Sequence, residues 1–316
     1  MRVTNGMISR HTQNYIQYGM QRMARAQEMA STTKKIIGLS DDSTAISQLL
    51  NVRTNVKLNE QYMRNIDNGL SYLYGADTAL HTTGNIIKKA KDYAEQAVNG
   101  TLSESDMQAI GEQIDKLLDE MKDIANTSVG GVYIFAGTQN SRPPFEFTRD
   151  ADNNITITYQ GNLERVSREI LDQANYAIDI PSVNPTGEEL GVFGNVDTAD
   201  PEKKVTGGVF DALIRLRDNL MNANVEGVEQ SIGELDDQHN HILRYRVQVG
   251  ARTNHFESVK DQLGNQELTL NRVISNLEDA DLAKVSIELT QQRLVYQASM
   301  AAGAQILQVS LLNFLN

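Results

Sequence analysis

The 316-residue chain contains no cysteine and no tryptophan. Missing thiols exclude disulfides, thiolate catalysis and sulfur-bound metal sites. Proline is scarce as well, and Pro143, Pro144, Pro181, Pro185 and Pro201 all fall in one middle stretch. Because proline removes a backbone donor and kinks a helix, both flanks are left free to form long helices. No hydrophobic run approaches the roughly 20 residues that span a bilayer. The start, Met1-Arg2-Val3-Thr4-Asn5-Gly6, lacks the apolar core of a secretory signal. The chain is therefore expected to be cytoplasmic, or exported by a route without a cleaved signal. Positive charge is also short: the net charge of −12 leaves no broad basic surface for nucleic acid.

What the flanks do contain is heptads. Val228, Leu235, Ile242, Val249, Phe256, Leu263, Leu270 and Leu277 recur every seven residues. In the first half Leu49, Val56, Met63 and Leu70 do the same, with Val52, Ile66, Leu73, Leu80 and Ile87 three residues further on. Apolar residues alternately three and four apart form the seam of a helix that must pack along another. A helix from 42 to 98 would run roughly 80 Å at 1.5 Å per residue, against a radius of gyration of ~20 Å for a compact globule of this length. The expected fold is mainly α: an elongated antiparallel helical bundle or coiled coil formed by both chain ends, with a small β-rich insert. Its intramolecular seam would be Leu49, Val56, Met63 and Leu70 against Leu235, Ile242, Val249, Phe256, Leu263 and Leu270.

The ends read differently from the long rods. In residues 1–40, Ile8, Tyr15, Met29 and Ile36 lie at multiples of seven, with Arg22 interrupting the row. In the tail Leu289, Tyr296, Leu307, Leu311 and Phe314 share one side. Those nine residues are the candidate subunit-assembly seam. Residues 1–40 carry six Lys/Arg and one acid, whereas residues 141–201 carry four arginines and eleven acids. The expected organisation pairs 1–40 with 280–316, and 41–140 with 202–279, and places 141–201 outside as a solvated insert. Within that insert alternating Phe145, Phe147, Ile155, Ile157 and Tyr159 read as a hairpin, and 163–170 and 176–180 as two further strands, giving a three- or four-stranded meander.

Candidate chemical sites reduce to structural ones. Asp150-x-Asp152-x-Asn154 resembles the start of a calcium loop, yet Ile155 replaces the required glycine and Gly161 the closing glutamate. A hairpin turn is the better reading. His239 and His241, two apart on a helix, point to nearly opposite faces and make no metal pair. Both are expected to be solvated or at the edge of the seam. Asp41-Asp42 reads as a capping turn, since no nucleophile or histidine accompanies it. Glu278-Asp279-Ala280-Asp281 reads as a solvated acidic link favouring the next helix start. No catalytic constellation, cofactor loop or metal cluster is expected, and hence no enzyme.

Several stretches, in order along nearly the whole chain, carry a resemblance. They are Leu39-Ser40-Asp41-Asp42-Ser43, Asn99-Gly100-Thr101-Leu102-Ser103, and Tyr133-Ile134-Phe135-Ala136-Gly137-Thr138 followed by Pro143-Pro144-Phe145. Val249-Gly250-Ala251-Arg252, Leu277 to Ala283, Tyr296-Gln297-Ala298-Ser299 and Ser310 to Leu315 complete the set. The chain resembles the flagellin-like proteins of bacterial flagella, most closely the hook-associated members at the hook–filament junction. Lys34-Lys35-Ile36-Ile37-Gly38 departs from the Gly-Lys-Arg-type approach usual there. The resemblance implies paired chain ends in an inner tube, long helices around it, and the β insert outermost. It implies a structural adaptor joining hook to filament, extracellular on the flagellum, exported without a cleaved signal. Its partners would be further copies of itself, flagellin, the other junction protein, and an export chaperone at the C-terminal helix. A flagellin-type filament subunit is the alternative, and a cytosolic coiled-coil scaffold a third reading.

Overall fold

The computed structural model describes residues 5–38, 40–100, 102–150, 154–172 and 174–315, with side-chain surroundings for residue 7 and for those between 10 and 305. The protein is mainly helical, 67% in helices, with a small β-rich middle region. In order, the elements are α1 (Asn5–Thr32), α2 (Ser43–Asn99), α3 (Glu104–Ala125), β1 (Ser128–Val129), β2 (Val132–Tyr133), β3 (Phe145–Arg149), β4 (Ile155–Tyr159), β5 (Ser167–Leu171) and β6 (Ala174–Ala177). Then come β7 (Val183–Pro185), β8 (Gly194–Val196), β9 (Val205–Thr206), α4 (Gly208–Met221), α5 (Val225–Glu278) and α6 (Leu282–Leu315). No helix among the described residues is long and apolar enough to cross a membrane.

The helix starts are written locally. Asp42 Oδ1 accepts from the amides of Thr44 and Ala45 at 3.0 Å each, which satisfies donors that a helix N-terminus leaves orphaned. Asp281 does the same for Ala283 and Lys284, and Asn224 for Gly227. Ser103 and Asp106 form a reciprocal capping box on α3.

The chain divides into two compact units, residues 1–59 with 265–316, and residues 60–264. Those boundaries fall inside α2 and α5, not at the turns near 40 and 280. In the first unit α1 and α6 run antiparallel: Gly19 faces Tyr296, and Gly303 faces Thr12 and Ile16. A Cβ on Gly303 would sit 3.2 Å from both of its neighbours, so the missing side chain sets the close approach of the two helices.

In the second unit α2 and α5 also run antiparallel, clamped by Asp67–Lys260 (2.7 Å), Asp77–Arg246 (3.0 Å) and Lys91–Asp236 (2.7 Å). Between them lie Ile66, Leu70, Leu73, Leu80 and Ile87 of α2 and Leu235, Ile242, Val249 and Phe256 of α5, all buried. Gly69 gives Phe256 its room, for a Cβ there would lie 2.6 Å from the ring.

The middle region differs from the expected meander in two ways. Instead of one sheet it forms four small ones: β1–β2, β3–β4, β5–β6 and the mixed β7–β8–β9, in which β7 and β8 are parallel. The small sheets are joined only sparsely, as where Tyr159 N donates to the Lys203 carbonyl at 3.0 Å between β4 and the approach to β9. Nor is it solvated throughout. Phe145 and Phe193 lie 5.2 Å apart and meet Phe210 of α4 at 5.5 and 5.4 Å, while Phe135 meets Phe193 at 5.0 Å. Ile157, Tyr159, Val166, Ile170, Ile178 and Val183 are buried with them. The acidic count misled because most of these acids sit in exposed turns between strands whose apolar residues are core. At the β3–β4 turn, Asp150 Oδ1 accepts from the Asn154 amide at 2.8 Å, so the calcium-like sequence closes a hairpin; residues 151–153 lie outside the described residues.

Candidate assembly surface

The first unit buries little of its apolar surface. Ala26, Leu49 and Val285 are its fully buried apolar side chains among the described residues. Tyr15, Tyr18 and Met20 on α1, and Ile287, Leu294, Val295 and Met300 on α6, are exposed; Tyr15 is 67% and Ile287 70% accessible. Side chains of this size each gain roughly 1.5–3 kcal/mol when a partner buries them, so their exposure on two paired helices favours association.

The turn between α1 and α2 is held by charge. Glu278, the last residue of α5, is 4% exposed, pairs with Lys34, and accepts from Arg53 Nη2 at 2.6 Å. Around it Lys35 N donates to the Glu278 carbonyl at 2.8 Å and Ala280 N to the Thr33 carbonyl at 2.9 Å, which clasps the start of the turn to the α5–α6 link. Burial pushes the Glu278 carboxyl up, but the hydrogen bonds from Lys34 and Arg53 outweigh it, so it sits below its ordinary value. Thr33 adopts φ 61°, a left-handed conformation unusual for a β-branched residue and held only where its surroundings fix it. Further along the turn Asp41 accepts from the Ile37 and Gly38 amides and pairs with Arg25 at 2.6 Å. Those backbone donors, with the Arg25 charge, hold its carboxyl below the usual range. The clasp overturns the reading of 278–281 as wholly solvated: Asp281 caps α6 as expected, but Glu278 is a buried ion-pair centre.

Of the nine candidate assembly residues, Tyr15 is exposed with its ring near His11, and Met29, Ile36, Leu289 and Tyr296 are half-buried. Tyr296 meets α1 at Gly19. Ile36 lies beyond the end of α1, which stops at Thr32. The side chains of Ile8, Leu307, Leu311 and Phe314 lie outside the described residues. Of the bundle candidates, Leu49, Leu70, Leu235, Ile242, Val249, Phe256 and Leu263 are buried, and Val56, Met63 and Leu270 half-buried.

The two histidines part company as their spacing requires: His239 is half-buried beside Gly84 of α2, at the edge of the seam, whereas His241 is neither solvated nor in the seam. His241 is 4% exposed, with Nε2 3.1 Å from the Gly191 carbonyl and Arg244 at Nδ1. Burial keeps it below its ordinary pKa. Helix α5 is packed on two sides, by α2 and by the middle region, and the heptad row discloses only the first. Glu278, Lys34, Arg53 and His241 were not singled out as functional, since long-range pairing leaves no local period to read. Around Phe135 the stretch Tyr133 to Thr138 forms the hub of the second unit. Tyr72 donates to the Ile134 carbonyl, and Tyr159 (3.1 Å) and Ser182 (2.7 Å) donate to that of Phe135.

Chain-end helices paired with each other, long antiparallel helices and a small β-rich middle define a helical structural protein built from both ends of its sequence. The sequence model of the bacterial flagellin N-terminal helical region matches residues 3–140, and that of the C-terminal helical region residues 232–315. The chain belongs to the bacterial flagellin-like family, whose members are structural proteins of the flagellum. It is 25% identical over 310 residues to a flagellin of Listeria monocytogenes, covering 96% of this chain and 95% of that one. It is 24% identical over 313 residues to flagellar hook-associated protein 3 of Salmonella typhimurium, covering 95% of each. In fold it is similar to a putative flagellar hook-associated protein from Vibrio parahaemolyticus, with a TM-score of 0.61 at 19% identity over 76% of this chain and 100% of that one.

Proposed function

We propose that this chain is an adaptor of the bacterial flagellum that joins the hook side to the flagellin filament by helical assembly of its terminal helices. The observation that carries the reading is the set of exposed apolar side chains on α1 and α6 of the first unit, within a chain that belongs to the flagellin-like family. Supporting the junction over the filament is the Tyr133–Thr138 hub, the stretch that most resembles junction proteins, set in a small middle region. The matched hook-associated chain from Vibrio parahaemolyticus shares that fold along its whole length.

In the assembled state residues 1–40 with 280–316 form the inner layer, 41–140 with 202–279 the surrounding bundle and 141–201 the outermost part. The candidate assembly residues would meet neighbouring copies there. Flagellin, the second junction protein and an export chaperone at α6 are the partners, and the chain reaches the flagellum without a cleaved signal. Similarity to Listeria flagellin keeps a filament subunit as the second reading.

Electron microscopy of flagella from a strain lacking the gene separates the two. Hooks without filaments, with flagellin shed into the medium, support the adaptor; hooks capped by normal filaments refute it. Mass spectrometry of the exported chain should recover peptides from residues 1–40.

A further inference from the structure

Three asparagines of the chain precede a glycine: Asn5, Asn68 and Asn99. Such a step can modify itself. The backbone nitrogen after the asparagine can close a succinimide ring on the side-chain carbonyl carbon, and a glycine there leaves the approach free of a Cβ. The fold sorts these steps. Asn68-Gly69 lies in the middle of α2, where the Gly69 amide belongs to the helical hydrogen-bond ladder. Gly69 is also buried against the Phe256 ring, so freeing its backbone means opening the α2–α5 seam. Asn5-Gly6 opens α1, and its side chains lie outside the described residues.

Asn99-Gly100 is placed differently. Asn99 is the last residue of α2, and both residues are exposed. The next helix begins only at Glu104, and the end of a helix frays where its interior does not. We propose that Asn99 is a self-modification site that converts in water to aspartate and isoaspartate and so loosens the link between α2 and α3. The Gly100 nitrogen bonds to Cγ of Asn99, the Cγ–Nδ2 bond breaks, and the amide proton leaves with Nδ2 as ammonia. Water then opens the ring at either carbonyl. One route gives aspartate; the other runs the backbone through the side-chain methylene as isoaspartate. Water is the only co-reactant. Either product puts a carboxylate at the C-terminal end of α2, where the helix dipole disfavours it. The acids Glu104 and Asp106 in the first turn of α3 follow a few residues later. The inference holds for an adaptor and for a filament subunit alike.

Peptide mapping by mass spectrometry of the full chain, aged in mildly alkaline buffer both folded and in denaturant, tests it. In the folded chain Asn99 should convert at least tenfold faster than Asn68. In denaturant the two rates should come within about threefold of each other, since both are then plain Asn-Gly steps. Gly100→Ala should slow conversion at Asn99 about tenfold. A Cβ there would meet Leu102 Cγ at 3.1 Å and the Gln96 carbonyl at 3.2 Å, so the comparison within the unaltered chain decides the matter if that variant misfolds. Ageing should also speed amide exchange at Asp106 and Met107, whose amides donate to the Ser103 carbonyl, by about threefold or more. The same ageing of Asn99→Gln should leave that exchange unchanged. An intact Asn99, or conversion no faster than at Asn68 in the folded chain, overturns the proposal. So does exchange that ageing leaves unaltered, or that it speeds equally in Asn99→Gln.

Discussion

The two units spend their apolar residues in opposite ways. In residues 60–264 the large side chains point at one another: Phe135, Phe145, Phe193, Phe210 and Phe256 are each 1% exposed or less. In residues 1–59 and 265–316 the pairing of α1 with α6 leaves Tyr15, Tyr18, Ile287, Leu294 and Met300 in solvent. The same kinds of residue thus complete one unit and leave the other's surface unfinished. A unit that closes its own core is stable alone. One that leaves an apolar stripe gains its remaining stability from neighbours, since burial drives association as it drives folding.

The largest effect should come from excising residues 141–201 and bridging the gap with a flexible linker. Its acidity made this stretch read as a solvated insert, but it carries Phe145 and Phe193, which pack on Phe210 of α4. Its loss uncovers more apolar surface than the 5–15 kcal/mol stability of a typical domain can absorb. Circular dichroism should show no cooperative melt of the second unit; an unchanged melt would mean that the aromatic cluster is not its keystone.

Next in size is the contrast between two aromatic truncations. Phe256→Ala should cost about 3–5 kcal/mol and visibly lower the melting temperature. Tyr15→Ala should leave melting within about 0.5 kcal/mol yet impair assembly into ring or helical layers seen by electron microscopy. Equal melting losses for both would erase the distinction between the units.

Glu278→Gln should destabilise the clasp by roughly 2 kcal/mol, because the charged hydrogen bonds from Lys34 and Arg53 are weakened, and speed amide exchange at residues 33–38 and 278–285. Acid should act in the same direction. Glu278 and Asp41 both have folded-state values below their unfolded ones, so the stability they give is present above the ordinary carboxylate range, near pH 4. It is lost as pH falls through their folded values. Asp179 in the second unit has the opposite sign: burial raises it, against Arg165 and Arg252. Its contribution weakens as pH rises above the unfolded value. Exchange measured from pH 6 to pH 3 should therefore loosen the clasp before the surroundings of Asp179; the reverse order would overturn the assignment.

The smallest expected effect is at Thr33. Glycine carries no Cβ penalty at positive φ, so Thr33→Gly should stabilise the turn by about 1 kcal/mol, read as slower exchange at Lys35 and Ala280. A loss of protection would show that the Thr33 side chain contributes more than its conformation costs.

Much of this was legible before any coordinates. The heptad rows forecast α2 and α5, and Asp41-Asp42 and the 278–281 link forecast the starts of α2 and α6. A helix and its cap depend on neighbours within a few residues, so their signal is local and periodic. Which second face of α5 is covered, and by what, depends on residues distant in sequence: His241 meets Gly191, and Arg252 meets Asp179. Likewise nothing in the string Glu278-Asp279-Ala280-Asp281 distinguishes a buried ion-pair centre from a solvated acid or a helix cap. Composition and period determined that this chain is a set of long helices interrupted once by strands. Tertiary packing alone decided that the strands share a core with the helices and that one glutamate locks a turn. Burial and charge pairing join residues that no sequence period relates.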